Sequence, residues 1–260
     1  MRVKLVVAYD GTNYCGWQVQ PNGITIEEML NRALLDLFGQ QITVTGASRT
    51  DAGVHSLGNV AVFDVETRMP AEKISYALNQ RLPEDIVVQD SCEVSEDFHP
   101  RFSNSIKTYE YKILNRRFPM PMLARDSYFY HHTLDVERMQ KAAAYLVGEH
   151  DFTSFASVHA QTNTFVRRIY DLSVTRSDDD LIRIRIRGNG FLYNMVRIIA
   201  GTLVQVGAGI LEPADVEQIL AGRDRELAGP TAPAKGLTMV GIEYLPTDVD
   251  NSSEISENGA

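Results

Sequence analysis

The sequence predicts an α+β fold of the α/β sandwich type, built from two ferredoxin-like or RRM-like units. Three observations lead to this prediction. Some segments are apolar and β-branched, others carry apolar residues at helical spacing, and in the first half they alternate as strand-helix-strand-strand-helix-strand. The second half repeats this order loosely. We therefore expect an N-terminal α/β domain over 1–104 and a C-terminal α/β domain over 105–246. Residues 247–260 form an acidic tail that is predicted to be disordered.

The elements of the N-terminal unit follow from local patterns. Arg2–Tyr9 is apolar and β-branched, which predicts a strand. Thr25 and Glu28 form a capping box at the start of a helix whose apolar residues recur at helical spacing up to Gly39. The remaining predicted elements are strands near 42–47 and 58–65, a helix after Pro70 and a strand over 85–94.

The elements of the C-terminal unit are predicted in the same way. Asp135 is a suitable N-cap residue, and Pro213 is suited to the first position of a helix. In chain order the predicted elements are a strand over 107–114, a helix over 135–147, a hairpin of strands 168–175 and 181–187, helices over 191–206 and 212–221, and a strand over 237–244.

Composition excludes several classes of protein. The hydrophobic fraction of 44% and the charged fraction of 23% are ordinary for a globular chain, and no apolar run is long enough to cross a bilayer. Cys15 and Cys92 are too few for a disulfide framework, and the first residues indicate a strand rather than a signal peptide. The six histidines include no pair at helical spacing, so we expect no metal site. We expect a cytoplasmic protein that does not bind a membrane.

The charge is unevenly distributed along the chain. The net charge is −9, which by itself disfavours nucleic acid as a partner. However, 99–125 holds six basic residues against one acid, and 165–200 holds seven against four. Such basic segments are typical of surfaces that contact phosphates. The alternative is that these cations lie on solvated strand and loop faces.

The segment 46–58 carries the strongest indication of a functional site. Apolar strand patterns flank it, and it places Asp51 near Arg49, followed by Ala52 and Gly53. A carboxylate, a guanidinium and small residues at this spacing predict an ionised acid at a place that a ligand backbone can approach. The alternative is an ordinary turn, in which Asp and Gly are common.

A second candidate is the strand that contains Lys107, Tyr109 and Tyr111. These three side chains lie on one face, since alternate residues of a strand point the same way. Aromatic rings interleaved with cations suit base stacking and phosphate contact. The alternative is a pair of half-buried tyrosines that only pack.

A third candidate is Arg197, which lies inside an otherwise apolar helix. A cation on a buried face needs a partner to offset its desolvation, and Asp51 is a candidate partner. Alternatively, Arg197 points along the solvent face of the helix.

The string R-T-D-A-G-V-H at 49–55 resembles the active-site motif of the TruA family of tRNA pseudouridine synthases. The likeness extends from about Val3 to Tyr244. Further segments resemble that family in the same order, namely Y-D-G-T-N-Y-C-G-W-Q (9–18), D-F-H-P-R-F (97–102), H-D-F-T-S-F (150–155), N-G-F-L-Y-N-M-V-R (189–197) and A-P-A-K-G-L (232–237).

This resemblance implies two domains with mainly antiparallel sheets that meet at a basic cleft, and a homodimer that binds tRNA across both subunits. It implies no cofactor. The residues matched to the family motifs would be Asp51 as the catalytic aspartate, Tyr109 at the uracil, Arg197 paired with Asp51, and Arg49 assisting extrusion of the base. The implied substrate is uridine at tRNA positions 38 to 40, in the anticodon stem-loop.

Two alternative functions remain open at this point. One is a non-catalytic RNA-binding protein of RRM-like build that uses the same aromatic and basic surfaces. Asp51 argues against it, because an acid in a phosphate-binding cleft repels RNA. The other is a pseudouridine synthase that acts on a different RNA position.

Overall fold

The computed structural model describes residues 1–160 and 162–245, so the predicted tail at 247–260 lies outside the described residues. The described residues form ten strands and five α-helices. The strands are β1 (Arg2–Tyr9), β2 (Thr45–Gly46), β3 (His55–Asp64), β4 (Ile86–Val94), β5 (Ser105–Asn115), β6 (Tyr128–Tyr130), β7 (Gly148–Asp151), β8 (Val166–Arg176), β9 (Leu181–Gly188) and β10 (Leu237–Tyr244). The α-helices are α1 (Ile26–Phe38), α2 (Ala71–Asn79), α3 (Val136–Ala144), α4 (Met195–Gly207) and α5 (Asp215–Gly222).

The strands form one continuous sheet in the order β4-β1-β3-β10-β5-β9-β8-β7, with β2 added to β3 and β6 added to β5. The pairs β10–β3 and β5–β6 are parallel, and the other pairs are antiparallel. The predicted α+β class with mainly antiparallel strands is therefore confirmed. The two half-sheets join because β10, from the C-terminal end of the chain, lies between β3 and β5.

Each half of the sheet has its own hydrophobic core. In the first half, α1 and α2 cover β1, β3 and β4, with Leu5, Leu30 and Leu78 fully buried. In the second half, α3 and α4 pack near β5, β8 and β9, with Met139 and Ile199 fully buried. Two separate cores are in keeping with a domain boundary near 104. The boundaries themselves stay a prediction.

Most predicted elements are found within a few residues of their expected bounds. The strand expected over 42–47 is an exception, because only Thr45–Gly46 pairs with β3. The backbone N–H of Val44 instead donates to the side-chain oxygen of Asn31 on α1, at 2.9 Å. A side-chain acceptor thus replaces a strand partner there, which hydrophobic alternation does not reveal.

The two C-terminal helices start later than predicted. The helix expected over 191–206 begins at Met195, because Asn194 before it has a φ of 62° and lies in the left-handed region. The helix expected over 212–221 begins at Asp215. The apolar residues ahead of α4 therefore belong to a loop. The short strands β6 and β7 were not predicted, since three or four residues show too little periodicity.

A glycine allows α4 to approach the segment 229–232 closely. A Cβ at Gly201 would lie 1.8 Å from the carbonyl oxygen of Pro230. Next to it, the hydroxyl of Thr202 accepts a 2.9 Å hydrogen bond from the N–H of Gly229. The N–H of Ala232 donates to a carbonyl of α4 at 3.1 Å. The segment is thus fixed against the helix by backbone contact.

We expect Gly201→Ala to lower the free energy of unfolding by about 3 kcal/mol, since the added methyl meets backbone that must shift. Urea unfolding measures the change. The matched control is Gly241→Ala on β10, where a Cβ would meet nothing within 4 Å. Equal stability of the two variants would show that α4 does not depend on this close approach.

Candidate active site

Asp51 lies in the loop between β2 and β3, and its neighbours hold the loop in place. The carbonyl of Thr50 accepts a hydrogen bond from the N–H of Trp17 at 3.1 Å, and its hydroxyl lies 2.8 Å from the hydroxyl of Tyr9. Gly53 has a φ of 76°, a conformation that glycine adopts without strain. The carboxylate is therefore presented from a fixed backbone rather than from a mobile turn.

The partner of Asp51 is Arg197 at the start of α4. Its Nη1 lies 3.1 Å from Asp51 Oδ2, and the two side chains are only 18% and 17% exposed. The same nitrogen donates to Asn194 Oδ1 at 2.8 Å, and Nε donates to the carbonyl of Ala232 at 2.8 Å. Three contacts thus fix the guanidinium, and the predicted pairing of Arg197 with Asp51 is found.

Burial raises the pKa of Asp51 above its usual value, and the charge and hydrogen bond of Arg197 pull this pKa back down. The sequence analysis anticipated the second effect but not the first, which is larger here. Because the effect of burial outweighs that of the cation, this carboxylate is a stronger base than one in water. The site thus holds a carboxylate suited to attack or proton abstraction.

Tyr109 of β5 lies in the same cleft. The residue is 8% exposed, and its ring meets that of Phe191 edge to face, with centroids 5.2 Å apart. Burial, and then the charge of Asp51, raise the pKa of Tyr109 to about 12, so its hydroxyl is protonated near neutral pH. Tyr111, on the same face of the strand, is fully buried and donates to the carbonyl of Pro233 at 2.8 Å. Tyr111 therefore packs, and Tyr109 faces the cleft.

The cleft around Asp51 has a volume of about 1390 Å³. Asp51 is the only carboxylate among the described residues that line it, whereas the cations on its walls are Arg49, Arg101, Lys107 and Arg167. Burial, followed by the charges of Arg101 and Arg167, lowers the pKa of Lys107 to about 8. Cations that repel one another in this way favour a polyanion in the cleft.

Comparison with known proteins is consistent with this geometry. A family model described as tRNA pseudouridine synthase matches residues 5–103 and 142–245. The chain belongs to this family. It is 48% identical to tRNA pseudouridine synthase A of Ruminiclostridium cellulolyticum over 94% of this chain and 99% of that protein. Over the same shares it is 49% identical to the protein of that name from Brevibacillus brevis. A third relative, from Acetivibrio thermocellus, is 48% identical over 93% of this chain and 99% of its own length.

Enzymes of this family are isomerases that convert uridine to pseudouridine. The predicted family and enzyme class are therefore confirmed. Asp51, Tyr109 and Arg49 line the cleft, and Arg197 joins them through its contact with Asp51, although 146 positions separate these two residues. The side chain of Arg49 is exposed on the cleft wall, and the cation that pairs with Asp51 is Arg197, as expected.

Two contributors to the site were missed from the sequence. Asn194 holds the guanidinium of Arg197 from one helical turn before it, and the carbonyl of Ala232 holds it from a distant segment. The spacing of Asn194 and Arg197, three residues apart at a helix start, was an available indication. The sequence held no indication of the contact with the carbonyl of Ala232, since side-chain patterns do not reveal backbone acceptors.

Two further findings concern residues 1–160 and 162–245. No group of three or more His, Cys, Asp and Glu side chains there is arranged to hold a metal ion. Likewise, no helix in this part of the chain has the length and apolar character needed to cross a membrane.

We expect Arg197→Met to raise the pKa of Asp51 further, because burial remains while the neighbouring cation is lost. Carbon-13 NMR of the aspartate carboxyls measures this, with the Asp51 signal assigned by its absence in Asp51→Asn. Arg49→Met is the control, and its exposed side chain predicts little change. An unchanged or lower pKa in Arg197→Met would contradict the role of the pair.

Proposed function

We propose that this chain isomerises uridine to pseudouridine in tRNA, at positions 38 to 40 of the anticodon stem-loop, with Asp51 as the catalytic residue. The observation that carries the proposal is that the described residues lining the cleft include one carboxylate, Asp51, paired with Arg197, and four cations. Membership of the tRNA pseudouridine synthase family supports the reaction, and the sequence resemblance supports the position in tRNA.

The proposed reaction conserves the atoms of the nucleoside. The bond from N1 to C1′ breaks, the uracil turns, C5 bonds to C1′, and C5 loses a proton while N1 gains one. No electrons or groups enter or leave, so the reaction requires no redox cofactor. Asp51 either attacks C1′ or removes a proton from C2′, and both routes need the carboxylate in its ionised form.

Tyr109 is suited to a position against the uracil. Its ring provides a stacking surface next to Asp51, at the buried end of the cleft. Because its pKa is raised to about 12, its hydroxyl would act at C5 by relaying a proton rather than by accepting one as a phenolate. The target base is stacked in the stem-loop and must be flipped out, and we assign support of that step to Arg49, which is exposed on the cleft wall.

The alternative hypothesis, a protein that only binds RNA, does not explain the composition of the cleft. Such a protein gains nothing from a buried carboxylate among cations, since the carboxylate repels phosphate and is costly to desolvate.

We also propose a homodimer that binds one tRNA across both subunits, on the basis of the family resemblance. The proposed location is the cytoplasm, since both cysteines are free thiols, as is usual in a reducing compartment.

We expect Asp51→Asn to abolish isomerisation while tRNA binding is kept or improved, because the side chain keeps its size and loses its charge. Tritium release from tRNA labelled at C5 of uridine measures the reaction. Asp90→Asn on β4, an exposed aspartate outside the cleft, should match the wild type. More than a few per cent of the wild-type rate in Asp51→Asn would exclude Asp51 as nucleophile or base.

The same assay tests the substrate position. Release should stop when the uridines at positions 38 to 40 are replaced by cytidine. Persistent release from that tRNA would point to a pseudouridine synthase with another target, and no release from any uridine would support the binding protein.

We expect Tyr109→Phe to bind tRNA nearly as well as the wild type but to turn over about a hundredfold more slowly, because it keeps the ring and loses the proton relay. Single-turnover rates and dissociation constants separate the two effects. Tyr111→Phe is the matched control, and losing its bond to Pro233 should lower stability by about 1 kcal/mol with turnover kept. The roles are wrongly assigned if Tyr111→Phe is the slow variant and Tyr109→Phe is silent.

A further inference from the structure

The segment 97–102, D-F-H-P-R-F, ends in an aromatic ring that faces solvent. Phe102 is 79% exposed and lines the same cleft as Asp51. Its ring stacks on that of His99, with centroids 4.3 Å apart and an angle of 28° between the planes. One face of the phenyl ring is therefore covered by imidazole, while most of its surface is left open.

The loop that carries Phe102 is tied down on both sides. Phe98 packs edge-on against Tyr244 of β10, with centroids 4.9 Å apart, and the Tyr244 hydroxyl donates to the carbonyl of Pro100 at 2.9 Å. The N–H of Ser103 donates to the carbonyl of His99 at 3.0 Å. An exposed ring on a loop with this many contacts is a fixed surface feature. Because the apolar surface of this ring stays in contact with solvent, the ring contributes little to the stability of the fold.

The surroundings of Phe102 are cationic. The guanidinium of neighbouring Arg101 donates to the carbonyl of Gly46 at 3.2 Å, which turns it toward the loop that carries Asp51. Arg49 lines the same cleft, and burial, followed by the charge of Arg49, lowers the pKa of Arg101. A phosphate chain that neutralised these two cations would pass beside Phe102, since all three residues line the same cleft. The bases attached to such a chain would then lie within reach of the open ring.

From this geometry we propose that Phe102, backed by His99, is a stacking platform for an unpaired base of the RNA next to the target uridine. The proposal rests on the function proposed above. In that function the target uracil lies against Tyr109, which is 8% exposed and is close enough to Asp51 to feel its charge. Flipping the target out removes a stacking partner from its neighbours. An aromatic ring on the cleft wall restores such a partner, and it does so for any base, since every base has a π-face.

A double-mutant cycle between the ring and the base tests the proposal. Dissociation constants are measured in the Asp51→Asn background, so no turnover is needed, with Phe102 or Phe102→Leu. The RNA is the anticodon stem-loop, either intact or with one abasic nucleotide on either side of the target uridine. With Phe102 present, loss of the base that it stacks on should weaken binding by roughly 5- to 150-fold. With Phe102→Leu, intact RNA should bind equally weakly, and loss of the base should add little.

The proposal would be overturned if the loss of affinity caused by Phe102→Leu and the loss caused by the abasic nucleotide were additive at both neighbouring positions. Tight binding by Phe102→Leu would also overturn it, since leucine keeps an apolar side chain and removes only the ring. Phe102→Tyr should keep the coupling, and this separates stacking from misfolding of the loop. Tyr76→Ala on α2, an aromatic side chain that is 69% exposed and lies outside the cleft, should leave every constant unchanged. Failure of the proposed function appears separately, as no tritium release by the enzyme with Asp51 intact.

Discussion

The ion pair between Asp51 and Arg197 is the interaction on which the candidate site depends. The two residues come from opposite halves of the chain, and both side chains are largely removed from water. A buried pair of this kind adds little net stability, because desolvation offsets most of the attraction. Removing either partner, however, would leave an uncompensated buried charge. The pair is thus better explained by the chemistry of the cleft than by the energetics of folding.

The continuous sheet makes that pair possible. β10 pairs with β3 through Thr238 and His55, and with β5 through Met239 and Tyr109. The loop before β3 and the inner face of β5 are thereby held at fixed separation. The N-terminus of α4 completes the arrangement, because Gly201 lets the segment with Ala232 lie against the helix. Rigid elements, rather than loops alone, therefore set the distances between the site residues.

Local pattern was enough to predict much of this fold but not its assembly. The strands Arg2–Tyr9 and Leu237–Tyr244 were found at their predicted bounds, since apolar alternation reports directly on strands. The insertion of β10 into the middle of the sheet was not predicted, because strand pairing over long sequence separation leaves no local pattern. Arg197 could be matched to Asp51 because a cation in an apolar helix needs a partner. Proximity in sequence was the poorer guide to the partner of Asp51, since Arg49 is exposed on the cleft wall and the pair forms with Arg197.

The charge balance of the cleft explains why Asp51 has a cation of its own. Burial drives Asp51 and Lys107 toward their neutral forms, so it raises one pKa and lowers the other. Bound phosphates would restore the charge of Lys107, but the same phosphates would disfavour an ionised carboxylate nearby. In that case RNA would neutralise the cations on the wall, and these cations would do little to keep Asp51 ionised. Arg197, held by Asn194 and the carbonyl of Ala232, keeps its place without RNA and can hold the carboxylate in its charged form when the cleft is filled.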